Sequence, residues 1–168
     1  MQFREVEMLR RLLYVKQLVF PFLLYVVVFS LTCAQNSMVN YEKVVHTFNE
    51  AWNTGNYDLL DKVVHPKYLK QEGNARIAGI EQLKEYVKNF RKSMPDAKIT
   101  YIDEIYGNKK AAILFTLEGT PIDTGKKFKA EGIVIFRFAD GKIIEDKSVF
   151  DQLSSLKQQG YTIVPPAK

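Results

Sequence analysis

At about Ala97 the hydrophobic period of this chain changes from three-and-four to two, which places a helical layer first and a sheet after it. Ahead of the change, Val44, Val45, Phe48, Ala51 and Trp52 fall on one face of a helix predicted from about Asn40 to Asn53. Thr54-Gly55-Asn56 stops it, with Gly55 suited to the left-handed residue at a helix C-terminus. Tyr57, Leu59, Leu60, Val63 and Val64 predict a second, shorter helix that ends before His65-Pro66, since proline disfavours helix in the residue before it. Lys67 to Gln71 reads as a short edge strand and Gly73 to Gly79 as a loop. Ile80, Leu83, Tyr86, Val87 and Phe90 then mark a third helix to about Lys92, with Pro95 as its stop signal.

After the change, Ile99, Tyr101, Asp103 and Ile105 alternate with Lys98, Thr100, Ile102 and Glu104 as in a strand. Gly107-Asn108 turns into a strand over Ala111 to Gly119, and Asp123-Thr124-Gly125 makes another turn. A long strand over Phe128 to Phe138, a hairpin at Asp140-Gly141 and a last strand over Lys142 to Phe150 complete a four-stranded meander. Asp151 to Gln159 is expected to form a short terminal helix. Helices followed by strands predict an α+β domain, three amphipathic helices covering one face of a curved antiparallel sheet. Such a sheet, covered on one side, leaves a cone-shaped hollow open at one end.

The first 34 residues are not expected to join that domain. Arg10, Arg11 and Lys16 precede an apolar run from Leu18 to Cys33, broken only by Pro21 and Ser30. At about 1.5 Å per residue the run covers about 24 Å, short of the roughly 30 Å core of a bilayer. It suits the apolar region of a secretory signal, starting at Met1 or Met8, with the basic flank held on the cytoplasmic side. Three readings stay open: a cleaved signal, a lipoprotein acylated on Cys33 after Ser30-Leu31-Thr32, and an uncleaved anchor. Each places the domain in a secreted or periplasmic setting, with the membrane reached only through this segment. Residues 35–40 read as a linker, 41–160 as the domain and 161–168 as a tail.

Charge narrows the partners. The chain is +5, and the leader holds Arg4, Arg10, Arg11 and Lys16 against Glu5 and Glu7. The remaining 20 basic and 17 acidic residues leave the mature domain at about +3 without long like-charge runs, which is no nucleic-acid footprint. The single cysteine forms no internal disulfide, and no Cys/His cluster has metal-ligand spacing. No Ser/His/Asp order, phosphate-cradling glycine loop or HExxH sequence is present.

Three stretches together resemble a known family. Phe48-Asn49-Glu50-Ala51-Trp52-Asn53-Thr54-Gly55-Asn56 closes the first helix, Met94-Pro95-Asp96 enters the sheet, and Ile135 to Glu145 is followed by Asp151 and Leu156 to Gly160. In this order and spacing they resemble the SnoaL-like polyketide cyclase branch of the nuclear-transport-factor-2-like superfamily, over about Tyr41 to Gly160. The resemblance implies a cone of three helices on a bent sheet, often dimeric through the sheet's outer face, and no cofactor or metal. It also implies an acid/base carboxyl for an intramolecular aldol closure, and the matching residue is Asp151. The chain departs from the pattern at three places. Gln71 stands where a pocket His is expected, Lys147 replaces a Trp, and the loop from Gly119 to Lys126 is short.

The expected site therefore combines Asp151, whose pKa desolvation would raise toward neutrality, with Tyr68 and Gln71 as hydrogen-bonding groups. Trp52, Tyr57, Phe90, Phe115 and Phe136 would line the pocket or pack in the core. Asp151 equally suits the N-cap of the terminal helix. His46 and His65 are expected at the surface, Glu131 on the outer face of the sheet, and Glu145 in support of the hairpin. The leading functional expectation is an extracytoplasmic module that binds a small hydrophobic or aromatic molecule. The alternatives are a cofactor-free cyclase, isomerase or lyase using Asp151, and a protein-interaction domain that pairs through its sheet as a homodimer.

Overall fold

A computed structural model of the chain describes residues 41–162 and 164. The expected leader, its Cys33, the linker 35–40 and the end of the tail lie outside the described residues. Helix α1 occupies residues 41–54 and buries Val44, Val45, Phe48, Ala51 and Trp52, the face its spacing predicts. Gly55 ends it at φ +73°, donating its N–H to the Ala51 carbonyl at 3.0 Å. Helix α2, Asp58–Val63, is followed by strand β1, Val64–Glu72, and strand β2, Ala75–Ala78. Helix α3, Ile80–Ser93, precedes strands β3, Lys98–Gly107, β4, Lys110–Gly119, β5, Phe128–Ala139, and β6, Lys142–Phe150. Helix α4, Gln152–Gln158, closes the described domain.

The β3–β6 meander forms as expected, but it is part of a six-stranded sheet in the order β2-β1-β6-β5-β4-β3. Two expectations are corrected by that order. The segment around Lys67–Gln71 is no edge: β1 runs parallel to β6 on one side and antiparallel to β2 on the other. The expected loop at Gly73–Gly79 contains β2, hairpinned to β1 through Gly73-Asn74, with Gly73 at φ +54°. The sheet is thus mixed, because β1 enters before the α3 crossover and the meander returns beside it.

Two bulges bend the sheet and reset which side chains face inward. In β3, Tyr101 pairs with Phe115 and Asp103 with Leu114, so Ile102 is the extra residue. In β6, Glu145 pairs with Arg137 and Ile143 with Phe138, so Ile144 is extra. The concave side holds the core, where Leu60, Leu83, Ile113 and Ile143 are fully buried, each worth about 1.5–3 kcal/mol relative to exposure. Asn53 stitches α1 to the free edge of β3. Its amide donates to the Ile99 carbonyl at 2.9 Å and accepts the Ile99 N–H at 2.8 Å, a side chain doing the work of a neighbouring strand. That contact fixes the end of α1, and Trp52 with it, over the sheet.

Candidate functional site

Alternation on β1 sends Tyr68, Lys70 and Glu72 to the concave side, while Leu69 and Gln71 face away. On β6 the Ile144 bulge shifts the phase, so Asp146 and Ser148 follow Ile143 inward and Lys147 is exposed. The parallel register sets Lys70 beside Asp146 and Glu72 beside Ser148. The result is a polar strip on one wall of a half-open cavity of about 110 Å³. The other walls are mostly apolar: Phe48 and Trp52 from α1, with Asn49 between them, Phe90 from α3, and Ile99, Tyr101, Phe115, Leu117, Val134 and Phe136 from the sheet.

The strip is tightly bonded. Tyr68 donates its hydroxyl to Asp146 Oδ2 at 2.5 Å, and Lys70 Nζ donates to Asp146 Oδ1 at 3.1 Å. Lys70 Nζ also donates to Ser148 Oγ at 3.3 Å and lies 3.2 Å from Glu72 Oε2 as an ion pair. Tyr86 donates to the same Glu72 oxygen at 3.4 Å. The ammonium of Lys70 lies 5.7 Å from the Trp52 ring centre and 6.0 Å from that of Tyr86, within cation–π range.

Burial raises the Asp146 carboxyl above the ordinary carboxylate value by more than the Lys70 ammonium and the Tyr68 hydroxyl draw it down. Burial alone would lower Lys70, yet the Asp146 and Glu72 carboxylates hold it above its usual value. Lys70 is therefore a fixed cation rather than an amine nucleophile. Burial first, and then the Asp146 charge, pushes the Tyr68 hydroxyl well above an ordinary phenol. The arrangement offers a desolvated carboxyl that can exchange a proton, beside a cation that can stabilise developing negative charge. The indole Nε1 of Trp52 is buried without a hydrogen-bond partner among the described residues, and a bound oxygen is a group that would satisfy it. Among the described residues no group of three or more His, Cys, Asp or Glu is placed to hold a metal ion.

The expected site residues separate into three groups. Trp52, Phe90, Phe115 and Phe136 line the cavity. Tyr68 lies behind the wall and acts on it through Asp146. Tyr57, Gln71 and Asp151 lie elsewhere. Tyr57 is half-buried at the start of α2 and packs on the core outside the cavity. Gln71 is paired with Lys147 on the convex face. Asp151 is exposed and caps α4, accepting the Ser154 N–H at 3.0 Å. That bond holds its carboxyl below the usual range, so the desolvation an acid/base role requires is missing at Asp151 and present at Asp146.

Glu131 is on the exposed face, as expected. His46 is half-exposed and 3.0 Å from Glu104, whereas the His65 side chain is mostly covered and accepts the Lys67 N–H, contrary to a surface placement. Sequence reasoning missed Lys70, Glu72, Tyr86, Asp146 and Ser148. The alternation Tyr68-x-Lys70-x-Glu72 was an available signal; Asp146 had none, because only the bulge turns it inward.

Comparison with known proteins places this geometry. The family profile of the SnoaL-like polyketide cyclases matches residues 42–159. Similar solved structures include TsrD from Streptomyces laurentii, at 24% identity and TM-score 0.67, covering 73% of this chain and 96% of that one. A proposed polyketide cyclase from Bacillus cereus has 30% identity and TM-score 0.62, covering 70% and 78%. A protein of ketosteroid isomerase-like fold from Catenulispora acidiphila, solved with trimethylamine, has 17% identity and TM-score 0.66, covering 73% and 97%. A search of curated protein sequences finds no match.

Proposed function

The chain belongs to the SnoaL-like polyketide cyclase family, and from that premise we propose that it binds a small hydrophobic or aromatic molecule in its cone, outside the cytoplasm. The observation that carries this reading is the half-open cavity of about 110 Å³, walled by aromatic side chains with one polar strip. A void of about 150 Å³ accepts benzene, so this smaller but half-open one suits at most a single ring or a branched chain of similar bulk. Binding is favoured over turnover by the state of the strip. Both Asp146 oxygens are already hydrogen-bonded within the protein, and Lys70 is held by Asp146, Ser148 and the Glu72 carboxylate. The extracytoplasmic setting rests on the basic-then-apolar leader, and an intact-mass measurement of the mature chain beginning after Ala34, or acylated at Cys33, would support it.

Cofactor-free cyclase or isomerase chemistry is the second reading. It is favoured by the raised pKa of Asp146 beside a cation, and it assigns the acid/base role to Asp146. It predicts that Asp146→Asn abolishes turnover of a carbonyl probe that Asp151→Asn leaves intact.

Thermal shift with a library of aromatic and aliphatic molecules tests the binding reading. Saturation at about 100 times Kd stabilises a fold by roughly 2.7 kcal/mol, a rise of several degrees in a domain of this size. Leu117→Trp, which adds bulk on the cavity wall, should erase the rise. A library that raises the melting temperature of neither protein, or of both equally, ends this reading.

A further inference from the structure

Beyond the inner cavity, a wider groove of about 620 Å³ runs between the β1–β2 turn and α4. The two hollows share Glu72, Tyr86, Ser148 and Phe150 as lining residues, so they adjoin. Their chemistry differs. The inner walls are mostly aromatic, whereas the groove sets Asn74 from the turn and Gln152, Ser155 and Gln159 from α4 among Ala75, Val149, Phe150 and Leu156. The side-chain amides of Asn74 and Gln152 have no hydrogen-bond partner among the described residues and are exposed. Gln159 spends its amide N–H on Ser155, which leaves its carbonyl as a further acceptor.

Resting on the binding reading above, we propose that the ligand has two parts: an uncharged, ring-sized apolar head in the inner cavity and an uncharged polar arm, hydroxylated or amide-bearing, along the outer groove. An anionic head is disfavoured because the strip holds two acidic groups, Asp146 and Glu72, against one ammonium, which pairs with both. It would meet more carboxyl than ammonium groups there. A purely apolar extension is disfavoured because it would lie against the Asn74 and Gln152 amides and strip them of water without replacing its hydrogen bonds. Glu72 stands at the junction, where its Oε2 is bound to Lys70 and Tyr86 and its Oε1 has no partner among the described residues. A hydroxyl at the point where head meets arm would donate to that oxygen.

Calorimetric titration separates the two halves with benzyl alcohol as head alone, benzyl β-glucoside as head plus arm, and phenylacetate as a charged head. The glucoside should bind at least tenfold more tightly than benzyl alcohol, and phenylacetate more weakly than either. The exposed double variant Asn74→Ala/Gln152→Ala should lose the glucoside's gain while its affinity for benzyl alcohol stays within twofold. Binding of benzyl alcohol with no gain for the glucoside, or a gain that survives in the double variant, overturns the two-part assignment and leaves the cavity reading standing. Tighter binding of phenylacetate than of benzyl alcohol overturns the uncharged head. Failure of all three probes to bind, in a protein that no library member stabilises, removes the cavity reading and this one with it.

Discussion

Asp146 and Asp151 are five positions apart and answer to opposite physics. Asp146 is buried, and truncating it leaves Lys70 in the wall without its closest carboxylate. Breaking one side of a buried ion pair costs about 3–5 kcal/mol, so Asp146→Ala should lower the urea midpoint severely. Asp151→Ala removes only an exposed cap, and its midpoint should move far less. Equal losses in the two variants would contradict the assignment. The same cluster sets a response to alkali. The folded-state pKa values of Tyr68 and Lys70 are both raised, while the unfolded chain releases these protons near pH 10 to 10.4. Their contribution to stability is therefore complete below about pH 10 and lost as pH climbs past it. The melting temperature should fall steeply above about pH 10, and Tyr68→Phe should make that fall shallower. Asp146 works at the acid end in the opposite sense to an ordinary ion-paired carboxylate. Its raised pKa means the folded state keeps the proton longer than the unfolded one, so its ionisation lowers stability as pH rises from the ordinary carboxylate value through the raised one.

Within the elements, the strands show what can be legislated by a pattern and what depends on pairing. Gly132 lies in mid-β5 facing the cavity, and a Cβ there would meet Phe115 Cζ at 2.5 Å and the Val149 carbonyl oxygen at 2.9 Å. The ring can swing but the carbonyl belongs to a paired strand, so Gly132→Ala should destabilise by about 1–3 kcal/mol and press Phe115 into the hollow, weakening binding. Unchanged denaturant midpoint and ligand affinity would show that β5 and β6 separate more easily than their pairing implies. The helices were legible because each buries a face whose spacing is intrinsic to the helix: Val44, Phe48 and Trp52 on α1, Leu83, Val87 and Phe90 on α3. The four long strands were legible from alternation and from the Asp140-Gly141 turn. The facing of their side chains was not, because one inserted residue reverses every position beyond it. Unbroken alternation from Ile143 would have turned Lys147 and Asp151 inward. The bulge at Ile144 turns Asp146 and Ser148 inward instead. Likewise Asp103 and Ile105 face out and Glu104 and Tyr106 in, beyond the bulge at Ile102. A bulge is settled by closure of the whole sheet, which no local stretch encodes.

At the scale of the whole molecule, the convex face raises the question of a second copy. Helices α1, α2 and α3 pack on the concave side, and the register lines up apolar side chains across the other: Leu114, Ile133 and Val149 in one row, Ile105, Ala112 and Ile135 in the next. Ile105, Ile133, Ile135 and Val149 are exposed, and contiguous apolar patches on a soluble surface mark contact sites. Charged residues border the patch: Asp103 and Lys147 within these rows, Lys110 and Arg137 beyond one end and Glu131 beyond the other. If a homodimer forms through this face, every substitution in the interface is counted twice. Ile133→Lys with Ile135→Lys would then set four ammonium groups into one contact, more than a patch of this kind tolerates. Sedimentation equilibrium should return a dimer for the native chain and a monomer for the double variant. The variant's cavity, on the other side of the sheet, should bind its ligand as before. A native chain that stays monomeric at about 100 μM, far above the Kd of a standard-sized interface, would leave the apolar rows without a second copy to cover them.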